Sequence, residues 1–130
     1  LVEACERLGY EYNVGITATT ASFFCGQNRP GAGGYRQSWF QERYENLKAA
    51  NVLNYEMEAA TVLTLSNLFE RQAGAIFAVI GNRVTDAFEY CGVEKSIKAA
   101  NEAAHILDEW DKQKEKHDKD YWYPSLMAEK

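Results

Sequence analysis

The sequence is poor in the residues that build metal centres and disulfide frameworks. Its three cysteines, Cys5, Cys25 and Cys91, are odd in number and form no CxxC pair. That argues against a disulfide scaffold or a zinc site and for a reducing, cytoplasmic setting. Histidine occurs only as His105 and His117, too few and too scattered for a histidine-rich metal centre, so no metal is expected. No stretch reaches the roughly 18 apolar residues of a membrane-crossing helix, so no membrane partner is expected. The opening residues carry charges and no signal-peptide apolar core. The chain starts at Leu1 rather than methionine, and a part missing ahead of it is the simple expectation. Positive charge is also scarce, with 14 Lys and Arg against 19 Asp and Glu and a formal net charge of −5. Without a basic stripe to release counterions, nucleic acid is not expected as a partner.

What is present suffices for a packed core. Hydrophobic residues make up 46% of the 130, which fits one compact domain or part of a larger one. Val2, Cys5 and Leu8 lie on one face of a helix over residues 1–8 that Gly9 can end. Residues 12–19 alternate and are rich in Val, Ile and Thr, a strand pattern. Residues 20–36, with Gly26, Gly31, Gly33, Gly34 and Pro30, read as a long loop, a kind that is usually functional or disordered. A helix is predicted over 37–50 with Phe40, Tyr44 and Leu47 on one face, then a short strand over 52–55. Residues 59–71 form a helix apolar nearly all round, the pattern of a buried one. Residues 75–80 are a continuous apolar run, suited to a strand covered on both faces. A last amphipathic helix over 93–112 has a stripe of Ile97, Ala100, Ala104, Leu107 and Trp110. The charge run at 112–120 reads as its solvated end. Tyr121, Trp122, Tyr123 and Pro124 begin a tail over 121–130 for which packed and disordered forms are both open. Strands alternating with helices imply an α/β fold with a parallel or mixed sheet, whose ligands sit where strands end and helices begin.

Three polar clusters stand at such junctions. In the first, Gln27 offers a carboxamide and Arg29 a forked donor set beside Phe23. Together they suit a planar ring that displays carbonyls and an N–H at its edge, as uracil does, with Phe23 as a wall. In the second, Glu56 and Glu58 flank Met57. A helix N-terminus favours acidic residues in any case, but not the methionine between them. A carboxylate can accept the vicinal hydroxyls of a ribose while a thioether packs on its ring. In the third, Ile80 ends the apolar run and Arg83 follows at its carboxyl end. Each cluster alone is matched by an ordinary explanation: a polar loop, an acidic helix start, a surface arginine.

Gly26-Gln27-x-Arg29, then Asn54-Tyr55-Glu56-Met57-Glu58-x-Ala60-Thr61, then Val79-Ile80-x-Asn82-Arg83 together closely resemble the uridine phosphorylases of bacteria, members of the nucleoside phosphorylase superfamily. The likeness covers roughly residues 1–107. It implies an α/β fold with a central mixed sheet flanked by helices, in which residues 1–120 are the C-terminal half of the domain. It also implies a homo-oligomer, a ring-shaped hexamer built from dimers, acting in nucleotide salvage. By the same resemblance Gln27 and Arg29 grip the uracil edge, Arg83 assists at a base carbonyl, and Phe23, Tyr55 and Ile80 wall the pocket. Met57 and Glu58 hold the ribose, with Glu56 an adjoining acidic position. The phosphate-binding glycine and arginines and a histidine lent by a neighbouring subunit belong to the N-terminal half, so no phosphate ligand can be placed on this chain.

Cys25 stands where the family has proline and Asn28 where it has glutamate, and residues 30–34 are richer in glycine than its usual loop. The implied reaction turns uridine and phosphate into uracil and ribose 1-phosphate, with phosphate as co-substrate and no cofactor. No covalent nucleophile is needed, and Cys25 has no histidine near it in sequence to activate it. Purine phosphorylases of the superfamily use an aspartate after the corresponding strand. Gly81-Asn82-Arg83 favours pyrimidines, while Asp86 keeps a purine reading open. A nucleosidase that uses water, and an incomplete half-domain that only binds nucleoside, are the other readings.

Overall fold

The first helix ends at Gly9. Residues Val2–Leu8 form α1, and Gly9 takes the left-handed conformation (φ 65°, ψ 35°) with its N–H turned back to the last carbonyls of the helix, the cap for which glycine carries no steric cost. In a computed structural model that describes residues 1–128, the chain divides into two compact units, Leu1–Tyr12 with Ile76–Lys130 and Asn13–Ala75.

In the first unit α1 packs on a 25-residue helix, α4, Val93–His117. Ala4 and Cys5 of α1 and Ala99 and Ile106 of α4 are buried. Arg7 fastens the rim. Its guanidinium donates to Glu3 on its own helix (2.6 Å) and to Glu102 (3.2 Å) and Glu109 (3.1 Å) on α4. Those bonds, Glu109 first and then Glu3, raise its pKa further against the opposing pull of burial. The side chain is 40% exposed, so this network orients the helices more than it stabilises them.

The buried residues of α4 are Ala99 and Ile106, with Ala103, Leu107 and Trp110 half-buried, whereas Ile97, Ala100 and Ala104 of the expected Ile97–Ala100–Ala104–Leu107–Trp110 stripe are exposed, Ile97 by 56%. Alanines on adjacent faces make both stripes apolar, and contact with α1 and the tail selects between them. The charge run is helical through His117. Lys114, Lys116 and His117 lie in the last turn, where the helix dipole favours cations. Left-handed Asp118 closes the helix, with the Lys119 N–H on the Lys114 carbonyl (2.9 Å). The tail then packs back. Trp122 stacks on Trp110 with centroids 3.9 Å apart and planes 7° from parallel, and Leu126, in the short helical turn Pro124–Ala128, is fully buried. Residues 129 and 130 lie outside the described part of that tail.

In the second unit two parallel strands, β1 (Ile16–Thr19) and β2 (Val52–Glu56), are joined through a loop and α2 (Phe40–Ala49). Parallel neighbours need such a crossover. Phe40 is buried under α2, and α3 (Ala59–Leu68) follows β2 directly.

Two further expectations fail. The helix read as buried, α3, covers only Ala59, and Val62, Leu63, Leu65 and Leu68 are 41–69% exposed. The described residues of its unit supply no cover for those faces. The apolar run at 75–80 is not a strand. A strand exists only through pairing, and here the pairing begins at the very end of the run. Ile80 accepts from the Glu89 N–H (2.9 Å), and Gly81 bridges Phe88 in antiparallel fashion. The α/β class holds, with a sheet of two parallel strands among the described residues.

Because Leu126 is fully enclosed, Leu126→Ala is expected to cost about 2–5 kcal/mol through lost burial and a residual cavity. Urea unfolding followed by circular dichroism checks this, with the exposed Met127→Ala as the near-neutral comparison.

Candidate functional site

The register of β1 on β2 decides where the polar clusters emerge. Thr17 lies opposite Asn54, Ala18 opposite Tyr55 and Thr19 opposite Glu56. The strands are parallel, so their carboxyl ends lie at one edge of the sheet, and the loop after β1 and the junction after β2 leave from that edge. Ligands of open α/β sheets bind there. Phe23, Gln27 and Arg29 lie in the first departure and Tyr55, Glu56, Met57 and Glu58 on the second.

The loop folds through its own backbone. Residues Cys25–Gln27 form a 3₁₀ turn, Asn28 is left-handed (φ 56°, ψ 30°), and the Arg29 N–H returns to the Phe24 carbonyl (2.8 Å). The reversal carries the Arg29 guanidinium over the Phe23 ring, 4.9 Å from its centroid, and Phe24 meets Phe23 edge-on at 5.5 Å. Gly26 passes so near Thr20 and Ser22 that a Cβ there would lie 3.3 Å from both of their Cβ atoms. Gln27 is only 5% exposed. A merely solvated polar loop would leave that carboxamide in water.

Asn28, where the resemblance leads one to expect glutamate, has a structural use. Asparagine tolerates the left-handed conformation better than glutamate does, and its side-chain amide donates to Gln41 of α2 (2.8 Å). The loop is thereby tied to the crossover helix. Sequence reasoning missed this anchor, although an asparagine after a Gly-Gln turn is the signal that could have found it.

The second departure is organised by Glu56. One carboxylate oxygen accepts the Thr19 hydroxyl, and the other accepts the backbone N–H groups of Glu58 (2.8 Å) and Ala59 (2.6 Å). Thr19 also accepts the Ala60 N–H (3.1 Å). The opening N–H groups of α3, which no residue within the helix can satisfy, are thus taken up by residues of both strands. Burial pushes the Glu56 carboxyl up, but the bonds from Thr19, Ala59, Glu58 and Met57 prevail and hold it below the usual carboxylate value. Glu56 is turned inward, while Met57 and Glu58 stand exposed at the mouth of the junction.

Ile80 and Arg83, both half-buried, belong to the other unit. They lie in a tight turn made by Asn82, whose N–H reaches the Ala87 carbonyl (2.8 Å). Its side-chain oxygen accepts the N–H groups of Val84 (2.8 Å) and Thr85 (3.2 Å). Among the described residues no group of three His, Cys, Asp or Glu side chains could hold a metal, and no helix is long and apolar enough to cross a membrane.

A carboxyl held below its unfolded pKa contributes stability above that unfolded value and loses it as pH falls through the folded one. Glu56→Gln is therefore expected to destabilise the protein by about 1–2 kcal/mol at pH 7, the worth of a charge-assisted helix cap. The difference from the unaltered protein should shrink as pH drops below the ordinary carboxylate range, where Glu56 is itself neutral. Urea unfolding across that pH range gives the comparison.

Among known families, residues 1–111 match the one described as the phosphorylase superfamily. The chain is 46% identical over 128 residues to a uridine phosphorylase of Thermococcus kodakarensis, covering 98% of this chain and 46% of that relative. It is 39% identical over 84 residues to the uridine phosphorylase of Escherichia coli, covering 64% of this chain and 33% of the relative. A uridine phosphorylase of Haemophilus influenzae is 31% identical over 105 residues, 80% of this chain and 40% of the relative. The chain spans less than half the length of these relatives. No solved structure matches it significantly. With a family match that runs from α1 into α4, and with its polar loops leaving one edge of a parallel sheet, the chain belongs to the phosphorylase superfamily.

Proposed function

We propose that this chain carries the base and ribose pockets of a pyrimidine nucleoside phosphorylase that converts uridine and phosphate to uracil and ribose 1-phosphate. The observation that carries the reading is the loop after β1. It holds a buried Gln27 beside an Arg29 seated on Phe23, at the sheet edge from which Met57 and Glu58 also depart. The names of the relatives, all uridine phosphorylases, support the same substrate.

As the bond from C1′ to the base nitrogen loosens, negative charge builds on the departing uracil and positive charge on the ribose. Gln27 and Arg29 are fixed donors for the uracil. Donors set in place before the charge develops need no reorganisation in the transition state. Phe23 and Tyr55 wall the ring. Glu58 accepts the ribose hydroxyls and Met57 packs on the sugar, which holds C1′ in line for phosphate. The phosphate ligands come from the part of the relatives' length that this chain does not span. The finer reading is a homo-oligomeric, hexameric enzyme of the cytoplasm that serves nucleotide salvage. One observation favours a second reading, a nucleoside-binding half without activity of its own: the chain's coverage of less than half of each relative.

Uracil release from uridine, assayed with and without phosphate, separates these readings. Release only with phosphate is expected of the complete enzyme. Release without it would mean hydrolysis. Binding of uridine by this chain with no release would favour the half-site. In the complete enzyme Arg29→Ala is expected to lower kcat/KM for uridine by about 2–4 kcal/mol of transition-state stabilisation, as removal of one fixed donor does elsewhere. An unchanged rate would remove Arg29 from the site.

A further inference from the structure

Thr19 occupies a position that no reading of the base or ribose pockets uses. Its place follows from the register: it lies opposite Glu56, two residues beyond the Thr17–Asn54 pair, where the Thr17 hydroxyl donates to the Asn54 side-chain oxygen (2.7 Å). Residues two apart share a face of the sheet, so β1 presents two hydroxyls in a row to two acceptors on β2. The second hydroxyl does more than pair. It donates its one proton to the Glu56 carboxylate and accepts the Ala60 N–H (3.1 Å). Glu56 takes the Glu58 and Ala59 N–H groups on its other oxygen, and its own carbonyl accepts the Thr20 N–H (2.9 Å). The bonds from Thr19, Glu58 and Ala59 alone use most of that carboxylate's roughly four lone-pair positions. Glu56 therefore works as a bracket between strand and helix, and the carboxylate left to meet a ligand is that of exposed Glu58.

We infer that Thr19 is a positioning residue: by joining Glu56 to the first turn of α3 it sets the direction in which Met57 and Glu58 leave the sheet, and so the fit of the ribose but not of the base. The inference rests on the nucleoside reading to the extent that Met57 and Glu58 are the sugar contacts. Its chemistry is specific to a hydroxyl. Serine supplies the same donor and acceptor, and valine keeps the shape and supplies neither.

The test compares Thr19→Val and Thr19→Ser in two measurements. Amide hydrogen exchange on the 130-residue chain reads the bracket itself. Thr19→Val should speed exchange of the Glu58, Ala59 and Ala60 amides roughly tenfold, with Thr19→Ser near the unaltered rate. Calorimetric titration of the complete enzyme with uridine and with uracil reads its consequence. Thr19→Val should weaken uridine roughly tenfold and leave uracil within about twofold, and Thr19→Ser should restore uridine. Unchanged exchange at these amides, equal weakening of uridine and uracil, or failure of serine to restore either property would each overturn the positioning role. If the unaltered enzyme binds neither ligand, the nucleoside reading falls, and the exchange rates alone decide the bracket. Should Thr19→Val fail to fold, Glu56→Gln, which keeps the shape and weakens the same bonds, must shift the exchange rates and the uridine-to-uracil ratio in the same direction, or the inference fails.

Discussion

Parallel pairing of two short strands is the constraint on which the candidate site depends. Had Ile16–Thr19 met Val52–Glu56 antiparallel, the loop with Gln27 and Arg29 and the turn with Met57 and Glu58 would leave opposite edges. The parallel register instead sends both out together. The crossover it requires is supplied by α2, which also holds the loop through Asn28 and Gln41. Strand direction, helix placement and loop anchorage are thus one arrangement seen at three scales.

The two units achieve order by different means. The first relies on apolar contact: α1 on α4, Leu126 enclosed, and two indole rings stacked, with Arg7 spanning three carboxylates at the rim. In the second, the buried residues include Thr20, Gln27 and Asn28 alongside Phe40 and Ala59. Buried polar groups are tolerated when hydrogen-bonded, and here the Thr20 hydroxyl donates to the Ser22 carbonyl and the Asn28 amide to Gln41. A binding site gains from such a scaffold, because directional bonds fix angles that apolar packing leaves softer.

The sequence announced local features well and partnerships poorly. The cap at Gly9, the face of α2 built on Phe40 and the short strand before Glu56 were all legible, because each is decided within a few residues. The seam of α4 was misplaced by about one residue, since alanines on neighbouring faces satisfy the same periodicity and only α1 and the tail choose between them. The apolar character of α3 and of residues 75–80 was read correctly, but not their surroundings: composition records a demand for cover, not its source. In the site, the order and spacing of the three motifs carried the resemblance. The bracket from Thr19 to Glu56 went unseen because it depends on register, and register between strands more than thirty residues apart is a property of the fold.

The exposed faces of α3 have a colloidal consequence. In isolation the chain combines an uncovered apolar helix with a sheet of two strands, and unpaired strand edges template association between copies. Against this stands a net charge of −5, whose mutual repulsion keeps molecules apart and is shortened by salt to a range of about 8 Å at physiological ionic strength. The solubility of the isolated chain is therefore a contest between a short-range attraction that salt leaves intact and a longer-range repulsion that salt removes.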